Sequence, residues 1–312
     1  MDTKMRAWVR RGSRAGVEEV DAPALEREDD VIVEVLLAGI CRTDLYAARG
    51  LLQTPDPLIL GHEFSGVVVA AGPHASSREG DRVAVMPVRH CGSCATCLSG
   101  RPSACPASRM MGVDLPGAFA RYARSPDRFV YVVGGMGAER AAYAEPVAAS
   151  LAPTTLGLDL AAPVLVVGAS RIAELTARAM RALGHERVEV LGPDEISRGG
   201  DHADAWPVVV ETSTRPDALG AAVDACAPGG VLVLKSRPPT HVELDLRRAV
   251  QKELTLRGAH YAPFSAALEL LADPGFAVDD LLGDAHPLEA FLELAERGAE
   301  HGETKAFLDP KR

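Results

Sequence analysis

Short apolar runs with the period of a strand dominate the first half of the chain. Examples are the runs at 31–37 and 64–70, which Gly and Pro residues separate from their neighbours. Two further runs, at 81–86 and 129–133, flank a stretch that is rich in cysteine. The pattern predicts a β-rich first half built from many short strands.

The pattern changes in the second half. An apolar run at 163–168 predicts a buried strand, and a helical repeat over 171–183 follows it and ends at Gly184. Strand and helix patterns then alternate, with strands at 187–191, 207–211, 231–234 and 254–258 and helices at 216–227 and 245–253. Such alternation is typical of an α/β fold with a doubly wound parallel sheet. Two amphipathic helices, at 264–272 and 288–297, follow in the C-terminal segment.

Length and composition limit the functions open to this chain. Its 312 residues are enough for two domains with buried cores. The net charge of −10 opposes binding to nucleic acid or to an anionic membrane, because both depend on clustered Lys and Arg. No charge-free stretch reaches the ~18 residues of a membrane span, and residues 1–12 hold three arginines and no apolar signal core. We therefore expect a cytoplasmic protein without nucleic-acid or membrane partners.

Four of the six cysteines form a dense cluster with the spacing C-x2-C-x2-C-x7-C: Cys91, Cys94, Cys97 and Cys105. Tetrahedral zinc takes four thiolates at about 2.3 Å, and two-residue gaps with Gly92 and Gly100 at the turns let a short loop present them. A closed shell of four thiolates admits no substrate, so this zinc would be structural. Reduced thiols without a metal and an iron–sulfur cluster are the alternatives.

A second set of metal-binding residue types precedes this cluster. Cys41 lies in Gly-Ile-Cys-Arg-Thr-Asp at 39–44, and His62 and Glu63 follow a glycine. A thiolate, an imidazole and a carboxylate are the mixed set expected of a catalytic zinc with an open position. Each residue alone is more often a packed core residue or a surface pair. In this order, with the four-cysteine cluster and Ala-Glu-Pro-Val at 144–147, they resemble the zinc-dependent medium-chain dehydrogenase/reductase family, the alcohol dehydrogenase superfamily.

The resemblance covers nearly the whole chain and implies a fold and a reaction. It implies a GroES-like, β-rich catalytic zinc-binding domain at 1–152 and 264–312, and a Rossmann-type dinucleotide-binding domain at 153–263. The implied reaction moves a hydride between NAD or NADP and a secondary alcohol or polyol, or its ketone. Two zinc ions per chain are implied, one catalytic and one structural. Relatives of this kind form homodimers or homotetramers, in which the strand at 231–234 would extend a sheet between subunits.

The resemblance also assigns the catalytic zinc ligands. Cys41 and His62 match two ligands, and Glu63 matches a ligand or its close neighbour. Glu145 matches the carboxylate used by the polyol, glucose and threonine dehydrogenase branch, where classical alcohol dehydrogenases have a cysteine. Asp44 would orient His62 from behind and fix its tautomer.

The proton path is less complete. Thr43 matches the hydroxyl that removes the alcohol proton in the family. The family's relay often continues to a histidine, but Tyr46 occupies that position here. His90 is a spare candidate, although a solvated loop histidine beside a zinc lobe is the simpler interpretation.

The predicted nucleotide turn departs from the usual G-x-G-x-x-G. It keeps Gly168, has Ser170 in place of the second glycine and Ala173 in place of the third. Ser170 adds a side chain where the phosphate comes closest, which predicts weakened binding, although its hydroxyl can donate to phosphate. Arg42 matches a position that reaches the pyrophosphate in some relatives.

The next strand ends without the usual ribose-binding acid. Gly192 stands at that position, so Asp194 is the candidate for the ribose and Arg198 would instead favour a 2′-phosphate. The choice between NAD and NADP stays open. Only about 15 residues separate this strand from the next, which is too few for a helix, a strand and a helix. The third strand is therefore predicted to be missing, which shortens the domain between its second and fourth strands.

Lys235 and Arg237 follow the strand at 231–234, where relatives have small residues near the nicotinamide. They either meet an anionic substrate or cofactor phosphate, or are solvated loop charges. Two other functions stay open beside the dehydrogenase. One is a family descendant that has lost cofactor use and acts as a scaffold or binding protein. The other is a reductase of an activated double bond, which the complete metal set disfavours.

Overall fold

A computed structural model describes residues 2–198, 202–301 and 304–312, with the backbone alone for 299–301. The chain divides into two compact units. The first comprises Met1–Glu145, Phe264–Pro274 and Val278–Arg312, and the second comprises Pro146–Pro263 and Gly275–Ala277. No helix in the described part of the chain has the length and apolar character needed to cross a bilayer.

The strands follow the chain in this order: β1 (Lys4–Arg11), β2 (Arg14–Asp21), β3 (Asp30–Gly39), β4 (Leu58–Ile59), β5 (Glu63–Ala71), β6 (Arg82–Val85), β7 (Val88–Arg89), β8 (Arg109–Met110), β9 (Tyr122–Pro126), β10 (Val130–Val132), β11 (Val164–Val167), β12 (Val188–Leu191), β13 (Trp206–Glu211), β14 (Cys226–Leu234), β15 (Thr255–Gly258), β16 (Leu282–His286) and β17 (Lys305–Leu308). The α-helices are α1 (Arg42–Ala48), α2 (Ala95–Leu98), α3 (Ala138–Ala142), α4 (Ala144–Leu151), α5 (Arg171–Ala182), α6 (Pro193–Ser197), α7 (Ala218–Ala225), α8 (Leu246–Gln251), α9 (Phe264–Ala272) and α10 (Phe291–His301).

The first unit is β-rich, as the short apolar runs predict. Its main sheet has the order β10-β6-β5-β3-β17-β16, with β9 also paired to β3, and smaller sheets are β2-β1-β4 and β7-β8. Strand β3 lies between β5 and β17, so that Gly39 is opposite Glu63 on one side and Phe307 on the other. This register places the end of β3, where α1 begins, beside the start of β5.

The second unit is a doubly wound parallel sheet with the order β12-β11-β13-β14-β15. All four residues of β11 are buried, Val164 and Val166 in one hydrophobic cluster and Leu165 and Val167 in another. Both faces of the sheet are therefore covered, which explains the continuous apolar run in the sequence. Helix α5 packs on one face through Ala173, Ala177 and Met180, whose spacing is that of one helix face.

The predicted loss of the third strand is confirmed. In the described residues between β12 and β13 the only regular element is the short helix α6, and 199–201 lie outside the description. The order is that of a six-stranded nucleotide-binding sheet without its outermost strand on the β12 side. The idea that the strand at 231–234 extends a sheet between subunits is wrong for this fold. It is part of β14, whose two edges pair with β13 and β15, so no edge is open for a partner.

Candidate functional site

Cys41, His62 and Glu63 converge at the junction of β3, α1 and β5. Their ligand atoms all lie within 4.8 Å of one another. Cys41 is the N-cap of α1, and His62 and Glu63 stand at the start of β5, which is the strand next to β3. His62 and Glu63 are buried and Cys41 is partly buried. A thiol, an imidazole and a carboxyl group thus meet in the protein interior, and together they fit the donor set of zinc.

Asp44 forms hydrogen bonds that fix the positions of Cys41 and His62. Its carboxylate, which is fully buried, accepts hydrogen bonds from the backbone N–H of Cys41 at 2.9 Å and of Gly61 at 3.1 Å. It also lies 3.0 Å from Nδ1 of His62. A carboxylate only accepts, so Nδ1 carries the proton and Nε2 is left as the metal-binding atom. Asp44 therefore has the geometry of the predicted orienting residue.

The charges around His62 oppose the effect of burial on its pKa. Burial lowers the pKa of His62, but the charges of Asp44 and Cys41, with their hydrogen bonds, raise it well above the ordinary value. Without a metal, this pocket therefore stabilises a positive charge at the imidazole. A divalent cation at Nε2 meets the same negative surroundings, which is a second reason that the residues fit zinc.

Lys305 is a buried partner of Glu63 that the sequence patterns did not reveal. Its ammonium forms an ion pair with Oε2 of Glu63, both side chains being about 2% exposed or less, and donates to the carbonyl of Ile40 at 2.7 Å. A Cβ at Gly39 would lie 2.5 Å from both Glu63 and Lys305, so glycine makes room for the pair. Lys305 thus compensates the charge of Glu63 and ties β17 to the end of β3.

The structure tests the other predicted catalytic residues less directly. Thr43 and Tyr46 are partly buried and, three residues apart on α1, lie on one face of that helix. Glu145 is buried in the first turn of α4, but its carboxylate is not among the ligand atoms that lie within 4.8 Å of one another. Its role as a ligand stays a prediction.

The four-cysteine loop forms a compact sulfur cluster. Sγ–Sγ distances are 3.5 Å for Cys94–Cys97, 3.6 Å for Cys91–Cys105, and 3.9 Å for Cys91–Cys97 and Cys94–Cys105. A tetrahedron with metal–sulfur bonds of about 2.3 Å has edges of about 3.8 Å. The observed edges match this value, so the loop fits a tetrahedral zinc ion.

Backbone geometry sets the turns of this loop and favours a thiolate at Cys91. Gly92 and Gly100 have φ values of +78° and +79°, so the predicted glycine turns occur where a left-handed conformation is needed. The N–H groups of Ser93 and Cys94 lower the pKa of Cys91 to about 6, and the Cys94 N–H lies 3.3 Å from its sulfur. Arg128 donates to the carbonyls of His90 and Cys91, which fixes the start of the loop. His90 packs edge-on against a phenylalanine ring, and burial lowers its pKa.

The nucleotide turn of the second unit is compact. Gly168 follows β11, and a Cβ there would lie 2.4 Å from Oγ1 of Thr212 and 3.1 Å from Cβ of Ala173. Ser170 is the N-cap of α5 and makes no side-chain capping hydrogen bond. Its hydroxyl therefore does not accept from the first turn of the helix, and its O–H can donate to a phosphate. Arg171, the first residue of α5, adds a cation at this turn that the motif comparison had passed over.

The predicted ribose-binding residue is engaged elsewhere. Both carboxylate oxygens of Asp194 accept hydrogen bonds from Arg215 at 2.7 Å, and Arg215 also pairs with Asp217. These bonds lower the pKa of Asp194. Gly192 at the strand end is capped by Glu195, which accepts from its N–H at 2.6 Å. A ribose hydroxyl at Asp194 would compete with this guanidinium. Arg42, at the start of α1, is partly buried in the first unit.

Comparisons with known proteins point to one family. The alcohol dehydrogenase GroES-like domain matches residues 27–135. The L-threonine 3-dehydrogenase of Saccharopolyspora erythraea is 31% identical over 294 residues, which is 82% of this chain and 84% of that protein. The fold is shared with galactitol-1-phosphate dehydrogenase from Escherichia coli (TM-score 0.86, 23% identity, 98% of this chain and 100% of that chain). It is also shared with a cobalt- and zinc-bound thermostable alcohol dehydrogenase from Pyrobaculum aerophilum (TM-score 0.86, 23% identity, 98% and 100% covered).

Proposed function

Since the chain belongs to the zinc-dependent medium-chain dehydrogenase/reductase family, we propose that Cys41, His62 and Glu63 hold its catalytic zinc. The reaction is hydride transfer between a nicotinamide cofactor and a secondary alcohol or polyol, or its ketone. The convergence of these three ligand atoms within 4.8 Å carries the proposal. Glu145 is the proposed fourth ligand, and the four-cysteine loop is the proposed structural zinc site.

When bound, zinc supplies a Lewis acid for the substrate oxygen and the nicotinamide accepts or donates the hydride. The residues of the chain prepare that chemistry. Asp44 holds Nδ1 of His62 protonated, so that Nε2 stays directed away from it as a ligand atom. Thr43 is the proposed acceptor of the alcohol proton, and Tyr46, on the same helix face, is the proposed next group of the relay. Lys305 forms an ion pair with the Glu63 carboxylate in the interior and so compensates its charge.

The nicotinamide cofactor is proposed to bind at the carboxyl end of β11. Gly168 and Ala173 allow the close turn, the N-terminus of α5 supplies backbone N–H groups, and Ser170 donates its hydroxyl to the pyrophosphate. Arg42 is proposed as a further pyrophosphate contact. Asp194 stays the proposed ribose residue, in exchange for part of its pairing with Arg215.

Three observations favour a second candidate, a binding or scaffolding descendant without cofactor use. The side chain at Ser170, the missing third strand and the Asp194–Arg215 pair all weaken the adenosine half of the cofactor site. A reductase of an activated double bond needs no such metal centre, and the intact set of zinc ligands therefore speaks against it.

A paired experiment tests the proposal. NADH and NADPH are titrated by fluorescence, and turnover of a panel of polyols and ketones is measured for the wild type, Cys41→Ser and Cys226→Ser. Cys226 is a buried core thiol outside both clusters, so its variant keeps turnover. We expect Cys41→Ser to lose turnover while it still binds one of the cofactors. Unchanged turnover in Cys41→Ser would overturn the proposal, and failure to bind either cofactor at millimolar levels would favour the scaffold.

Small-molecule alcohols or carbonyl compounds are the partners that the family implies, and a homodimer or homotetramer is the proposed assembly. One edge of the second unit's sheet is β15, all of whose residues are exposed, and α8, which precedes it in sequence, exposes Leu246 and Val250. We propose that this edge meets its copy. All six cysteines are free thiols, as suits the proposed cytoplasmic location. Light scattering of Val250→Glu, which should shift the protein toward monomer, tests the assembly.

A further inference from the structure

Two loops meet at the carboxyl ends of β14 and β15 in the second unit. Ala259 is the first residue after β15, and its N–H donates to the carbonyl of Leu234, the last residue of β14, at 3.0 Å. This hydrogen bond joins the two loops where they begin. Lys235 N–H donates to the carbonyl of Glu211 at 3.1 Å. In doubly wound sheets, ligands bind outside the carboxyl ends of the strands. These loops therefore lie at the ligand-binding edge of the sheet.

The loops concentrate positive charge in an acidic protein. Lys235 and Arg237 lie in the first loop, and neither 235–242 nor 257–264 contains an Asp or Glu, although the whole chain carries a net charge of −10. Arg237 donates to Nε2 of His260 at 2.8 Å and lies over the ring of Tyr261 at 5.6 Å. Because guanidinium only donates, Nε2 accepts and the His260 proton is on Nδ1. The cluster thus offers hydrogen-bond donors from Lys, Arg and His.

A buried carboxyl group fixes the first loop. Oε2 of Glu211 accepts from the Ser236 hydroxyl at 2.8 Å and from its N–H at 3.3 Å, and Glu211 is 3% exposed. Burial raises the pKa of Glu211, while the hydrogen bonds from Ser236 oppose the shift. This anchor limits the conformations of Lys235 and Arg237 on either side of Ser236. A guanidinium that is held in place by this anchor and by its hydrogen bond to His260 loses less entropy when it binds an anion.

The position of the cluster argues against the cofactor's 2′-phosphate as its ligand. The adenosine ribose is expected at the end of β12, and β12 and β14 are three strand spacings apart in the order β12-β11-β13-β14. At about 4.8 Å per spacing this is about 14 Å. The cluster therefore belongs to the half of the sheet opposite the ribose end.

We propose that Lys235, Arg237 and His260 bind the phosphate group of a small phosphate monoester. The planar guanidinium, the ammonium and the imidazole N–H together provide the several donors that a phosphate dianion accepts.

Isothermal titration of the full-length, zinc-loaded protein tests the site with inorganic phosphate, sorbitol 6-phosphate and sorbitol. The double variant Lys235→Met/Arg237→Gln should bind inorganic phosphate and sorbitol 6-phosphate at least about tenfold more weakly, because it loses charge-assisted hydrogen bonds. The control Arg247→Gln removes an exposed cation of α8 in the same unit and should leave both affinities within about twofold. Equal affinity of the wild type and the double variant for phosphate overturns the site.

Two further measurements show whether the site binds the phosphate of a monoester or that of the cofactor, and which of the two proposals fails. If the double variant weakens NADPH but neither NADH nor sorbitol 6-phosphate, the phosphate is the cofactor's and the inference is wrong. Cys41→Ser should bind inorganic phosphate as tightly as the wild type. If that variant keeps its turnover, the proposed function fails while the phosphate site stands. If the double variant keeps its phosphate affinity, the phosphate site fails while the proposed function stands.

Discussion

Removing the ammonium of Lys305 should destabilise the first unit strongly. Lys305→Met keeps an unbranched side chain of similar length but leaves the Glu63 carboxylate, 2% exposed, without its cation. It also removes the donor to the Ile40 carbonyl, at 2.7 Å. Breaking a buried pair by removing one partner costs about 3–5 kcal/mol, because the remaining charge is uncompensated. That is a large part of the ~5–15 kcal/mol by which a domain is stable.

A second substitution, Glu63→Gln, removes the charge that Lys305→Met leaves behind. Lys305→Met/Glu63→Gln has no buried charge at this position, so we expect it to recover about 2 kcal/mol relative to Lys305→Met. Lys252 provides the control, since its buried ammonium donates to the carbonyls of Val223, Asp224 and Cys226. Lys252→Met should also destabilise, but Glu63→Gln should give it no recovery, because the two sites share no partner.

Urea unfolding of the metal-free protein, followed by circular dichroism, measures these free energies, because zinc bound at Glu63 would itself compensate the carboxylate. If Lys305→Met costs less than about 1 kcal/mol, loss of the ammonium does not leave Glu63 as an uncompensated buried charge. If the double variant is no more stable than the single one, Lys305 does not act through Glu63. High salt should change the result little, because buried pairs are screened weakly.

Three further predictions concern other parts of the molecule. Cys97→Ser should lose one zinc equivalent and lower the melting temperature, whereas Cys226→Ser, which replaces a buried thiol outside both clusters, should keep its zinc; elemental analysis and calorimetry check this. Asp44→Asn should weaken zinc at His62 about 10–100-fold in chelator competition, because one acceptor oxygen becomes a donor, and unchanged affinity would remove Asp44 from the orienting role. The pKa of Glu211 is raised in the folded state, so its contribution to the free energy of unfolding is full at acid pH and is lost as pH rises. The stability of the wild type relative to Glu211→Gln should therefore fall from acid to neutral pH in urea unfolding. A difference in stability that does not change with pH contradicts this prediction.

The second unit could be predicted well because its signals are local. The helical repeat at 171–183 corresponds to α5, and the buried run at 163–168 contains β11. The missing strand followed from counting residues between two strands, which needs no tertiary information. The family resemblance is likewise carried by short motifs such as the one that contains Cys41.

The contacts that tune the site could not be predicted in the same way. Lys305 reaches Glu63 because β17 pairs with β3 in one register, and no local pattern encodes the pairing of strands far apart in sequence. The Asp194–Arg215 pair joins residues near α6 and α7 through side-chain rotamers, which spacing does not define. The mistaken edge at 231–234 arose from analogy, since the buried run itself is typical of an interior strand.

The proposed reaction requires that the chain holds two distinct zinc ions, one of them at Cys41, His62 and Glu63. Plasma mass spectrometry of the purified protein gives the number of zinc ions per chain in the wild type and in Cys41→Ser. We expect two zinc ions in the wild type and one in Cys41→Ser, with the four-cysteine site still filled. A single zinc in the wild type, or two zinc ions retained in Cys41→Ser, would contradict it.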